Sequence, residues 1–498
     1  MTNNIDRARG SERFASSLSV STLDDIDNLP LALNAKTIIK LIAVTTCSLL
    51  YGYHTSIVTG ILLVLKPEDI NASEITTLHK EVITTATNIG AIFGSIVSFP
   101  MADTHGRLKT LHICSWIFIA SSIVTSLSFR LWILVLGRFI IGVAIGIGSQ
   151  CVPLYLSEVS PAKIRGLAIT INSMCITMGQ LLAYLFVVPF INTANSWRFL
   201  VFLAILPAIL FIWSKDKFPE SPRWLALTSD PERARLSIER IYPMATRRQV
   251  NLKLNGLMLD SNQIDRQSGS YSSIASQAFK SNKKLDPTSK KALIIGCILM
   301  VYQQTSGFNA FIYYAPLIFQ DLNVLNPMLP SIVVAATNVV FTATALYTVD
   351  KFGKRIVLLV TLWIVIIGLL LFSYGFKTNN ASLLIISLII YVAGYASGLG
   401  TIPWSSVEFL PTHLRSLGSS YISCSNWVSN SLISMTYLSL MKICGNEAMM
   451  VGFATVMFSC WFFTFFWYPE VKGLSLEEIN KIFQNTGVDV HFIYRNYY

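Results

Sequence analysis

The chain predicts an all-α membrane protein of twelve spanning helices, arranged as two six-helix halves. Three observations carry that expectation: composition, the length of the apolar blocks, and an internal repeat. Of the 498 residues, 53% are hydrophobic and 13% charged, where a soluble protein carries about 25% charged residues. The apolar residues fall in blocks of roughly 20, the helix length that crosses about 30 Å of hydrocarbon.

The blocks lie near 37–65, 82–101, 111–129, 131–153, 166–190, 198–213, 292–320, 329–349, 356–376, 383–407, 417–440 and 448–468. They divide the chain into a polar tail (1–36), a first half (37–213), a polar central loop with short helices (214–291), a second half (292–468) and a polar tail (469–498). The first tail lacks the short apolar core and small-residue cleavage site of a signal peptide. It reads as a disordered cytosolic segment, with the first span acting as its own signal. With the N-terminus inside, Arg107, Lys109, Lys163, Arg165, Lys351, Lys354, Arg355 and Arg415 all fall in short cytosolic loops, as the positive-inside rule requires. The sequons at Asn71 and Asn380 then fall outside, as candidate glycosylation sites.

The repeat is read from three ordered landmarks. "EVSPAKIR" (158–165) and "EFLPTHLR" (408–415) share E-x-x-P-x-x-x-R. "DTHGRLK" (103–109) and "DKFGKR" (350–355) share D-x-x-G followed by basic residues, and "PESPR" at 219 pairs with "PEVKG" at 469. Glu158 precedes Glu220 by the same 62 residues that separate Glu408 from Glu470. Duplicated halves are the architecture of alternating-access transporters, with the substrate at the midplane between them.

Other classes are poorly served. The net charge of +11 reflects Lys and Arg gathered between 215 and 291, so topology explains it without nucleic acid. The eight cysteines show no metal-ligand spacing and read as buried thiols, and the histidines at 54, 79, 105, 112, 413 and 491 form no ligand set. No nucleophile–base constellation or phosphate loop points to an enzyme. A nutrient sensor would call for a long signalling tail, where about 30 residues follow the last span. No metal or cofactor is expected; the expected partners are a small solute and the bilayer, and the expected state is a monomer.

Through "GRFIIGVAIGIG", "PLYLSEVSPAKIRG", "GQLLAY", "PESPRWL", "YQQTSGFNAFIYYAP", "DKFGKR", "GLGTIPW" and "PEVKG", the chain resembles the sugar porter family of the major facilitator superfamily from about 37 to 480. "HKEVITTATNIGA", "INSMCITMGQLLAY", "ALIIGC" and "GLSLEEI" are most similar to its fungal inositol transporter branch. The resemblance implies the major facilitator fold and transport of a small neutral polyhydroxylated solute, an inositol, polyol or hexose. The membrane would be the plasma membrane or a vacuolar or other endomembrane.

A polyol needs side chains that both donate and accept hydrogen bonds, and amides do so with less cost in a membrane than charges. By resemblance the substrate-binding positions are Gln180, Gln303, Gln304, Asn309, Asn338 and Asn426, with Trp404 against the ring and Tyr313 and Trp427 as aromatic wall and outer gate. The single amides Asn88 and Asn172 read as helix–helix glue. Helix breaks are expected at Pro316 and near Pro403. Ala396 stands where many hexose carriers have a glutamate, which disfavours an ordinary hexose. By resemblance Asp103, Arg107, Glu158, Arg165, Asp350, Arg355, Glu408 and Arg415 form cytosolic clasps that break as the halves rock. The first half should have the weaker clasp, because Leu108 interrupts the usual run of basic residues.

His54 and Arg138 stand apart. Arg138 has no counterpart in the second half, where no Lys or Arg occurs between Lys377 and Arg415. His54 is about 17 residues into one helix and Arg138 about 7 into another that runs the opposite way. At 1.5 Å per residue both lie in the outer third of the bilayer. In the family's proton symporters the position of His54 is an aspartate that pairs with the arginine and takes up the proton. An imidazolium there would repel Arg138 by roughly 4 kcal/mol at about 4 Å and an effective dielectric near 20. His54 is therefore expected to be a neutral hydrogen-bonding group, and transport to be facilitative.

Overall fold

The structure, a computed structural model, describes Ile26 and residues 42–214, 217–228, 230–268, 287–321, 328–410 and 415–472. Each of the twelve apolar blocks contains a helix, and no strand occurs among the described residues. The first half holds α1 (Thr46–Val64), α2 (Thr77–His105), α3 (Arg107–Ser126), α4 (Leu131–Val159), α5 (Ala162–Val187) and α6 (Ser196–Trp213). The central loop contains α7 (Pro222–Leu227), α8 (Pro231–Ile241) and α9 (Arg247–Ser268). The second half holds α10 (Pro287–Thr305), α11 (Phe308–Asp321), α12 (Met328–Phe352), α13 (Lys354–Lys377), α14 (Ala381–Ser397), α15 (Arg415–Cys444) and α16 (Asn446–Trp467).

Among the described residues, ten segments are long and apolar enough to cross a membrane. The other two predicted spans are helical but altered. Block 292–320 is split into α10 and α11, and block 417–440 lies in α15, whose sequence is rich in Ser and Asn.

The repeat reappears as packing. Within the first half α1 lies on α5, α2 on α4, and α3 on α4 and α6; in the second, α10 lies on α15, α12 on α14, and α13 on α14 and α16. The halves meet along α2–α15 and its mate α5–α12, and along α1–α11. Small residues permit the closest of these crossings. A Cβ on Gly90 would stand 2.0 Å from the Phe139 carbonyl oxygen, and one on Gly142 2.0 Å from that of Thr87. With Gly94 and Gly146 a turn further on, α2 and α4 make backbone contact as small-xxx-small helices do in membranes.

Both D-x-x-G turns close in the same way. Gly106 and Gly353 have φ of +93° and +89°, a region that favours glycine. A Cβ there would reach 2.6 Å from Glu220 and 2.5 Å from Glu470. Those carboxylates cap the helices that follow. Glu220 accepts from the Leu108 amide at 3.0 Å, and Glu470 from the amides of Lys354 and Arg355 at 3.2 and 2.9 Å. An anion at a helix N-terminus satisfies orphan N–H groups and the dipole together. Burial pushes the Glu220 carboxyl up, and the amides of Leu108 and Ser221 oppose that shift.

Two expectations change. The break in the seventh span is at Ser306-Gly307, where Gly307 takes φ +85°, while Pro316 lies inside α11. Pro316 lacks the N–H that would bond the Ile312 carbonyl four residues back, and that carbonyl accepts instead from Thr59 and from the Tyr184 hydroxyl, so the helix runs on through the proline. The break near Pro403 is present: α14 stops at Ser397 and a 3₁₀ segment runs over Ile402–Phe409. In the N-terminal tail the one described residue, Ile26, packs against Ile238, Tyr242 and Val250 of the central loop; the rest of 1–36, on which the expectation of disorder falls, and residues 473–498 lie outside the described residues. Cys444 is exposed and Cys297 and Cys424 are half-buried rather than buried, and all eight cysteines are free.

Candidate functional site

The two ends of the bundle are named here by their landmarks: the motif end carries the D-x-x-G turns, and the sequon end carries Asn71 and Asn380. Both asparagines are exposed. Asn380 also caps α14, its Oδ1 accepting from the Leu383 amide at 3.1 Å.

Midway between the ends, the predicted amides form two networks. In one, Gln303 of α10 donates to the carbonyls of Leu399 and Gly400 at 2.8 and 3.0 Å. These carbonyls are freed by the interruption after α14, so the broken span creates acceptors and an amide satisfies them. The Gln303 oxygen accepts from Asn426 Nδ2 at 2.8 Å and from Gln304 Nε2 at 3.4 Å, and Gln304 accepts from Asn309 at 2.6 Å. In the other network, Asn338 of α12 donates to Gln180 of α5 at 3.0 Å, which joins the two halves directly. Trp404 is half-buried. Trp427 is buried, meets Tyr51 edge-on at 5.7 Å, and its Nε1 has no acceptor among the described residues.

A third polar group was not foreseen. Asn430 of α15 donates to Asn88 of α2 and to the Tyr313 hydroxyl, each at 3.4 Å, and Asn88 donates to Ser434 at 3.0 Å. Asn88 thus bridges the halves, whereas Asn172 stays within the first half, accepting from Ser48 at 2.6 Å. The signal for Asn430 was in the repeat: it follows Gln180 by 250 residues, the offset between Glu158 and Glu408.

α11 is tied to the first half through its backbone. The carbonyl of Ile312 accepts from Thr59 at 2.8 Å and from the Tyr184 hydroxyl at 2.6 Å, and Thr59 reaches the Tyr313 carbonyl at 3.1 Å. These bonds hold the halves together toward the sequon end. Toward the motif end, Ser419 donates to Gln150 at 2.8 Å, and Gln150 also bonds Ser423.

His54 and Arg138 do meet, but not through the imidazole. Arg138 Nη1 donates to the His54 backbone carbonyl at 3.0 Å. The His54 ring stacks on Phe118 at 5.5 Å, its Nε2 lies 3.5 Å from the Ser122 hydroxyl, and its Nδ1 has no partner among the described residues. Both side chains are buried.

At the motif end the clasps are unequal, opposite to expectation. Arg107 grips Glu158 in a two-point contact at 3.0 and 3.3 Å and reaches Asp103 at 3.1 Å, with both Arg107 and Glu158 side chains nearly buried. Ser221 adds a hydrogen bond to Glu158. In the second half Lys354, not Arg355, pairs with Glu408, which is half exposed. Arg355 instead donates to the Phe465 carbonyl at 2.6 Å and lies over the Phe465 ring. Asp350 is exposed. The side chains of Arg165 and Arg415 lie outside the described residues. A guanidinium fork grips a carboxylate more firmly than an ammonium does, so the single arginine of the first turn suffices.

Two pseudo-equivalent helical halves, amides facing each other across their interface and ion pairs at one end define a membrane transporter of the alternating-access class. The sequence profile described as "Sugar (and other) transporter" matches residues 40–483. The chain belongs to this family, within the major facilitator fold, and is a multi-pass membrane transporter rather than an enzyme. It is 42% identical to a probable metabolite transport protein of Saccharomyces cerevisiae, over 97% of each chain. It is 36% identical to myo-inositol transporter 1 of Cryptococcus neoformans var. grubii (89% of this chain, 80% of that one) and 34% to myo-inositol transporter 2 of Schizosaccharomyces pombe (88% and 80%). Among solved structures, the proton:xylose symporter XylE bound to 6-bromo-6-deoxy-D-glucose superposes with a TM-score of 0.74 at 24% identity, covering 90% of this chain and all of that one.

Proposed function

We propose that the protein carries a cyclic polyol of the inositol type across its membrane by facilitated diffusion, with the motif end cytosolic and the sequon end outside. The inositol transporters among its relatives and the absence of a carboxylate at Ala396 favour a cyclitol over a hexose. The amides satisfy one another, so a ring of hydroxyls replaces bonds already made, and exchange rather than desolvation sets the affinity. Gln180, Gln303, Gln304, Asn309, Asn338 and Asn426 act as the substrate's hydrogen-bond partners, Trp404 packs against its C–H face, and Trp427 Nε1 supplies a further donor.

The observation that carries the uncoupled reading is the contact at position 54. Arg138 rests on a backbone carbonyl, and position 54 offers no carboxylate to take up and release a proton. His54 serves as a neutral filler against Phe118. The Arg107–Glu158 and Lys354–Glu408 pairs act as cytosolic clasps. Asn71 and Asn380 lie on the outer face, as glycosylation sites.

Solute counterflow in vesicles tests substrate class: labelled myo-inositol should exchange and be displaced by unlabelled inositol, with glucose and xylose weaker. Preference for glucose would overturn the cyclitol assignment, and net inositol uptake driven above the external concentration by an inward proton gradient would overturn the uncoupled one.

A further inference from the structure

Glu81 is the most deeply buried carboxylate in the described chain, 1% exposed, and nothing in the transport scheme above uses it. It lies one turn into α2 at the sequon end, and both of its oxygens are accepting. Ser439 of α15 donates its backbone N–H to Oε1 and its hydroxyl to Oε2, each at 2.8 Å. Two rungs flank it on the same helix faces: Lys442 bonds Thr77 one turn outward, and Ser434 and Asn430 bond Asn88 two turns inward. The result is an antiparallel polar ladder between the halves, running from the outer tip down to Tyr313.

We infer that Glu81 is a positioning residue for the transport cycle: its bidentate grip on Ser439 latches the outer face shut. This rests on the alternating-access reading, with the sequon end outside. A carboxylate taken out of water is costly unless every lone pair it presents is met. When the halves part at this end, water reaches Glu81 and the ladder is dissolved; when they close, Ser439 replaces that water at both oxygens. The grip is made only in outward-closed states, so it acts on the balance between outward-open and outward-closed forms and not on the substrate site. A hydrogen bond to a charged group contributes about 1.5–3 kcal/mol, and about 1.4 kcal/mol is tenfold. Losing the grip should shift that balance by roughly tenfold to a hundredfold.

The test uses the full-length protein in vesicles, with inositol half-saturation measured separately from the outside and from the inside. An apparent affinity is scaled by the fraction of protein in the competent state. Glu81→Ala should therefore raise the ratio of inside to outside half-saturation by ten- to a hundredfold. Glu81→Gln, which can still accept from the Ser439 N–H and donate to its hydroxyl, should fall between Glu81→Ala and the parent. Ser439→Ala, which keeps the N–H and removes one rung, should shift the ratio in the same direction by less; it also serves if Glu81→Ala does not fold. An unchanged ratio with a reduced maximal rate would mean that Glu81 only packs the interface, and would overturn the latch. Failure of the parent protein to transport inositol or glucose would instead refute the transport reading.

Discussion

Replacing Gln303 with leucine keeps the side-chain volume and removes every polar contact the amide makes. In the parent its Nε2 donates to the carbonyls of Leu399 and Gly400, and its oxygen accepts from Asn426 and Gln304. The two carbonyls belong to the interrupted tenth span and cannot turn back into a helix, since α14 ends at Ser397. Each stranded buried polar group costs about 1–3 kcal/mol, so the variant should lose roughly 2–6 kcal/mol from any state in which this pocket is closed to water. At about 1.4 kcal/mol per tenfold, counterflow of labelled inositol should fall by about thirtyfold or more. The loss should appear in half-saturation and maximal rate together, because Gln303 supports the break and, as proposed, also meets substrate. The assay is counterflow in vesicles with the amount of folded carrier fixed by size-exclusion chromatography. Retention of transport within threefold would show that the Gln303 amide neither meets substrate nor sustains the break.

Other perturbations probe separate links. His54→Asp places a carboxylate beside Arg138 and should make net uptake rise with an inward proton gradient; uptake that ignores the gradient would show that position 54 does not control coupling. Gly142→Leu drives a side chain into the Thr87 carbonyl and should abolish accumulation of folded protein, read as loss of a monodisperse chromatographic peak. Arg107→Lys breaks the two-point grip on Glu158 and should lower the unfolding temperature by several degrees and slow transport, while Lys354→Ala, at a half-exposed pair, should change the unfolding temperature little.

The sequence made the spans legible because a membrane imposes length and apolarity on each helix. It made the repeat legible because the turns at Gly106 and Gly353 need the same capping carboxylates. The amides of the two networks were readable as residue types out of place in apolar blocks. What could not be read was pairing. That Arg138 chooses a carbonyl over the imidazole, that Lys354 rather than Arg355 holds Glu408, and that Asn88 crosses to the other half all depend on side-chain direction at a helix crossing. The seventh-span break was misplaced for a related reason: the carbonyl that Pro316 leaves without its helix bond is met by Thr59 and Tyr184 from the other half, whereas Gly307 marks the turn by its positive φ. Glu81 was hidden because a charge in the first turn of a span ordinarily marks only the membrane surface.

The most direct test of the account is uptake of labelled myo-inositol into vesicles of purified protein, with inside and outside pH clamped. The account predicts equal internal and external inositol at steady state, whether or not the outside is made more acidic, with protonophore leaving the plateau unchanged. Accumulation above the external concentration that collapses with protonophore would contradict it.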